Sequence, residues 1–101
     1  MNIDVVIQIG NSDDKLSQKS WAFFVSEVKF IVECHSSNIY FFGGSENYAQ
    51  WQNLCIAFSI PKEELDLLKN KLTEKRKTFN QDSIAYLEGV TKFIRTNKNL
   101  Q

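Results

Sequence analysis

Apolar residues alternate at Ile3, Val5, Ile7 and Ile9, and a polar turn and a long helix pattern follow at once; no other feature constrains this chain as much. A period of two puts those four side chains on one face of a strand and leaves Asp4, Val6 and Gln8 on the other. Residues 10–15, Gly-Asn-Ser-Asp-Asp-Lys, have turn composition and end the strand. Ser17 then stands where it can cap a helix, its hydroxyl accepting from a first-turn amide that has no intrahelical partner. Leu16 before the cap and Trp21 four residues beyond it form a hydrophobic staple, which fixes the angle of chain entry. Trp21, Phe24, Val25, Val28, Ile31 and Val32 recur at three- and four-residue steps, so this helix has a core-facing stripe. Phe23 and Phe30, seven apart, lie on its flank. A one-faced strand running into a one-striped helix predicts a layered α/β structure.

The remaining chain extends that pattern. Residues 35–38 stop the helix, residues 39–42 form a short strand, and residues 43–48 read as a hairpin connection longer than the minimal two residues. Residues 51–60 form a strand with Leu54, Ile56, Phe58 and Ile60 on one face. Pro61 suits the first turn of a second helix, where a missing amide costs nothing. Leu65, Leu68 and Leu72 give that helix a thinner stripe, extended by Phe79. Residues 84–87 are the last strand, with a short continuation over residues 90–94 beyond Gly89. The order strand, helix, strand, strand, helix, strand, with right-handed crossovers, predicts an α+β fold. Its four-stranded antiparallel sheet carries both helices on one face. The pattern resembles the ferredoxin-like βαββαβ sandwich. That likeness is one of architecture, over a single domain of residues 1–95, and it implies no activity because the fold hosts many functions. Residues 96–101 read as a frayed tail.

Composition narrows the function classes. At 101 residues with 43% hydrophobic content, one domain can bury a core without metal or disulfide staples. Cys34 and Cys55 lack CxxC spacing, Met1 leads almost directly into a strand, and no apolar run is long enough to span a membrane. The expectation is a cytoplasmic protein with reduced thiols. Lys+Arg and Asp+Glu balance at twelve each, which argues against nucleic acid as a partner, since that needs clustered cations. The basic glycine–aromatic consensus of RNA-binding sandwiches is also absent. The basic run over residues 69–77 completes a helix that begins with acids, an order that complements the macrodipole.

The expected topology gathers three connections, residues 10–15, 43–50 and 79–83, at one end of the sandwich. Loops on a rigid scaffold are where function concentrates. Asn11, Ser12, Asp13, Asp14, Glu46, Asn47, Tyr48 and Trp51 are therefore the expected partner- or ligand-binding residues, with Tyr48 and Trp51 as anchors. Asp13, Asp14, Glu46 and Asp82 are oxygen ligands by type. The Asp-x-Asp-x-Asp-Gly spacing is absent, though, and neighbouring aspartates rarely address one ion. No metal or cofactor is expected, and a metal-dependent hydrolase is a minor reading. No glycine motif for phosphate is present. His35 adjoins Cys34, and consecutive helical residues do not face each other, so no catalytic residue is expected.

The second candidate is the open sheet face. Val6, Gln8, Asn53, Cys55 and Ala57 contribute to it, with either Tyr40 and Phe42 or Ile39 and Phe41, and Tyr86. A half-apolar face without helices calls for a cover. The expected function is a small non-enzymatic protein-interaction or regulatory module, homodimeric, acting through its loop end and open sheet face. The alternative is a small-metabolite or nucleotide binding protein with a pocket at the loop end or dimer interface.

Overall fold

The computed structural model describes residues 1–11, 15–45 and 52–96. Its elements in order are β1 (Asn2–Gly10), α1 (Gln18–His35), β2 (Asn38–Gly44), β3 (Asn53–Pro61), a 3-10 turn (Lys62–Glu64), α2 (Leu65–Thr78) and β4 (Ala85–Gly89). The strands lie in the order β2-β3-β1-β4, and every neighbouring pair is antiparallel. β1 and β2 therefore run the same way with β3 between them, as a helical crossover requires. The fold is ferredoxin-like.

One face of the sheet and both helices make the core. Val5, Ile7 and Ile9 of β1 and Leu54, Ile56, Phe58 and Ile60 of β3 meet Trp21, Phe24, Val28, Ile31 and Val32 of α1 and Leu65, Leu68 and Leu72 of α2. Each such side chain, fully buried, contributes ~1.5–3 kcal/mol. Phe24 centres the aromatic part, with Trp21 edge-on at 6.2 Å and Phe79 tilted at 5.0 Å between ring centroids. Ser17 caps α1 by accepting from the Ser20 amide at 3.2 Å, and Leu16 and Trp21 are both buried in the core, as a staple requires. At the far end of α1, His35 Nδ1 lies 2.8 Å from Glu64 Oε1 and ties the two helical segments together.

Three boundaries differ from the sequence reading. β2 runs to Gly44, because the Ser45 amide donates to the Asn53 carbonyl at 3.0 Å and the Asn53 amide to Ser45 Oγ at 2.9 Å, which carries the ladder on. Glycine is required at 44: a Cβ there would stand 2.0 Å from the Asn53 carbonyl oxygen. Pro61 closes β3 opposite Asn2 instead of opening a helix, and the 3-10 turn intervenes before α2. Residues 90–96 do not continue β4. The Thr91 amide and hydroxyl turn to the Asp4 carboxylate, the amide at 3.1 Å, and leave the backbone ladder.

Candidate functional site

The loop end has a clasp at its centre. Asn11 is only 2% exposed. Its Nδ2 donates to the Leu16 carbonyl at 2.9 Å and to Gln52 Oε1 at 3.0 Å, while its Oδ1 accepts from the Leu16 amide at 2.9 Å. Its own amide donates to the Gln52 carbonyl at 2.9 Å, and Gln52 Nε2 passes the chain on to Gln18 Oε1 at 2.8 Å. Both donors and the acceptor of the Asn11 side chain are thus spent on positioning the β1–α1 connection against the start of β3. Of the other expected site residues, Ser12, Asp13, Asp14, Glu46, Asn47, Tyr48 and Trp51 lie outside the described residues.

Next to the clasp, on the open side of the sheet, lies a concavity of about 590 Å³. Gln8, Gly10, Asn53 and Cys55 form its floor, and Gln81, Asp82 and Ser83 of the α2–β4 loop form its wall. That loop is shaped by Asn80, whose φ of 53° is the left-handed turn that ends a helix. Gln81 is buried: its Nε2 donates to the Phe79 carbonyl at 3.2 Å, and Arg76 Nη1 donates to the Gln81 carbonyl at 2.8 Å. The exposed Lys15–Asp82 pair at 3.2 Å adds little, as surface pairs contribute ~0–1 kcal/mol.

The open face carries a row of apolar residues across all four strands. Phe41 of β2 is opposite Ala57 of β3, Ala57 is opposite Val6 of β1, and Val6 is opposite Leu87 of β4. A bulge between Ile39 and Phe41 places two β2 residues against one on β3, which breaks the alternation. The strict alternation expected from sequence is therefore corrected. Tyr40 and Phe41 share the open face, while Ile39 and Phe42 lie on the helix side, opposite Phe58 and Ile56. Lys29 of α1 accordingly sits 4.4 Å above the Phe42 ring. Tyr86 is a second correction: it pairs with the core residue Ile7 and meets Lys69 of α2 at 4.9 Å, so Leu87 takes the open face instead. Tyr40, Phe41 and Leu87 are 57%, 55% and 69% exposed.

One carboxylate organises the margins of this face. Asp4 accepts from Thr91, through both hydroxyl and amide, and from the Tyr40 hydroxyl at 3.1 Å. The Thr91 hydroxyl bond is the main reason its carboxyl is held below the usual range. On the helix side, burial first and the Glu88 hydrogen bond second push the Tyr86 phenol upward. Glu88 is lowered by that Tyr86 bond, at 2.9 Å, and by Lys69 at 3.2 Å. Among the described residues no three His, Cys, Asp or Glu side chains are grouped to hold a metal ion, and no helix is long and apolar enough to cross a membrane.

No protein-family model matches this sequence, and no curated protein does. Among solved structures the chain is similar to a dimeric ferredoxin-like protein from an uncultured marine organism. The two are 11% identical over 94% of this chain and 92% of that one, with a TM-score of 0.44.

Proposed function

We propose that this chain is a small non-enzymatic interaction module that pairs with a second copy of itself through the open sheet face. The unbroken row Phe41–Ala57–Val6–Leu87 carries the reading. It supplies an apolar centre, and Asp4, Gln8 and Asn53 supply a polar margin, the usual anatomy of an interface. Val90, Phe93 and Ile94 follow β4 and are also exposed, in a segment that Thr91 fastens beside the row. With ~150–250 Å² per aromatic side chain, Tyr40, Phe41, Leu87 and these three expose on the order of 800 Å². That is what one partner contributes to a specific complex. Face-to-face sheets pack ~10 Å apart, a distance that side chains of this size fill.

Sedimentation equilibrium tests the pairing. At micromolar concentration the wild-type protein is expected at twice the chain mass, and Leu87→Lys at the chain mass with an unchanged fold, since Leu87 lies outside the core. A wild-type monomer at every concentration would overturn the proposal.

The concavity at the loop end favours a second reading, a binding site for a small polar metabolite or nucleotide. Its volume falls in the ~300–1,000 Å³ range of ligand sites, and its amide side chains, Gln8, Asn53 and Gln81, can both donate and accept. A ligand at 100 times its Kd adds ~2.7 kcal/mol to stability, so thermal melts against a metabolite and nucleotide panel decide the matter.

A further inference from the structure

The outer face of α1 is built like a seam. Lys19, Phe23, Ser26, Phe30 and Glu33 recur at steps of four, three, four and three, the spacing that keeps one stripe aligned along a helix packed against another. All five are exposed and lie on the side of α1 turned from the core, with Phe23 at 56% and Phe30 at 61%. Neither phenylalanine belongs to the core cluster of the described residues.

The charges say what covers them. Lys19 and Glu33 each stand seven residues, or two turns, from Ser26. The other charged side chains along α1 are engaged within the molecule: Glu27 with Lys75 at 3.2 Å and Lys29 with the Phe42 ring. Among the described residues neither Lys19 nor Glu33 has an ion-pair partner. A two-fold axis through Ser26 lays a second α1 antiparallel on the first. Lys19 then meets Glu33 of the second copy at both ends, and Phe23 meets Phe30 of the second copy within one residue's rise. Ser26 at the crossing is small enough to let the helices approach. A stripe that is its own complement when reversed fits an isologous contact.

We infer that this face is a second self-contact, an antiparallel α1–α1 pairing of two copies of this chain. It is independent of the sheet-face pairing, and it lies on the opposite side of the sandwich. Running from Lys19 to Glu33, about 21 Å of helix, it is small and weak, with a Kd on the order of 100 µM. Where both contacts form, sheet-face dimers join into tetramers and larger species as concentration rises.

Charge reversal tests it, in the Leu87→Lys background so that only α1 is read. Sedimentation of Leu87→Lys is expected to show weak dimerisation that salt suppresses. Adding Lys19→Glu sets like charges at both ends and raises the Kd about ten-fold or more. Adding Glu33→Lys to Lys19→Glu restores the pairs in reverse and returns the Kd to within about three-fold of the parent. Both reversed charges also suit the helix dipole, so loss of folding does not confound the double variant. Phe30→Ala abolishes association. A strictly monomeric Leu87→Lys protein, or a double variant no better than Lys19→Glu, overturns the inference. If instead the sheet-face proposal fails, Leu87→Lys leaves the wild-type mass unchanged, and the α1 variants are read as before.

Discussion

The two faces of the sheet use the same strands for opposite ends. On the covered face, Val5, Ile7, Ile56, Phe58 and Ile60 are buried under α1 and α2. On the open face the same backbone presents Phe41, Ala57, Val6 and Leu87 in a row, and both helices lie on the other side of the sheet. The covered face alternates without interruption along β1 and β3, whereas on the open face the slip of β2 at Tyr40 sets two consecutive aromatics, Tyr40 and Phe41, side by side. Strand periodicity therefore accounts for folding, and a break in periodicity accounts for the surface left over.

The sharpest way to break this contrast is to truncate one phenylalanine on each face. Phe58→Ala, in the core, is expected to cost ~3–5 kcal/mol in urea denaturation. Phe41→Ala, on the opposite face of the neighbouring strand, should cost the monomer less than ~1 kcal/mol while weakening self-association. Comparable losses for the two, measured at low protein concentration, would dissolve the distinction.

Between these lies the loop-end clasp. Asn11→Ala leaves the buried Leu16 amide without its acceptor and Gln52 Oε1 without a donor from Asn11, at a cost of about 2–3 kcal/mol by chemical denaturation. A loss below ~0.5 kcal/mol would return Asn11 to the candidate ligand-contacting residues. Ser17→Ala should cost ~1 kcal/mol, the ordinary value of a helix cap.

The smallest expected effect is at Asp4. Because its folded-state pKa is lowered, the stabilisation it provides is fully present above the unfolded value, about 4, and is lost as pH falls through the folded one. Faster hydrogen exchange at the Thr91 amide in that acidic window would report it, and Asp4→Asn should flatten the response. A Thr91 amide whose exchange is unchanged after the Asp4 carboxyl has been fully protonated would show that the carboxylate does not fasten this segment to the open face.

Most of the covered face was legible in the sequence. The Ile3–Ile9 alternation, the Ser17 cap, the Leu16–Trp21 staple and the Leu54–Ile60 alternation follow from local periodicity and hydrogen-bond need, and each appears in the fold. The open face was harder to read. Tyr40-Phe41-Phe42 is a run of three aromatics with no period, so only the partner strand decides which ones face outward. Tyr86 and Leu87 are both apolar enough for either face, and the register with Ile7 and Val6 assigns them. Asn11 looked like a turn residue open to a ligand; its partner Gln52 is forty-one positions away, a contact that local sequence does not encode.

The central claim is that a second copy of the chain covers the open face. Isotope-filtered NOESY on a mixture of labelled and unlabelled protein reads that contact atom by atom. The account predicts inter-protomer cross-peaks from the Val6, Ala57 and Leu87 methyl groups to the Tyr40 and Phe41 rings. Inter-protomer peaks confined to Phe23 and Phe30, or none at a concentration where the protein is dimeric, would contradict it.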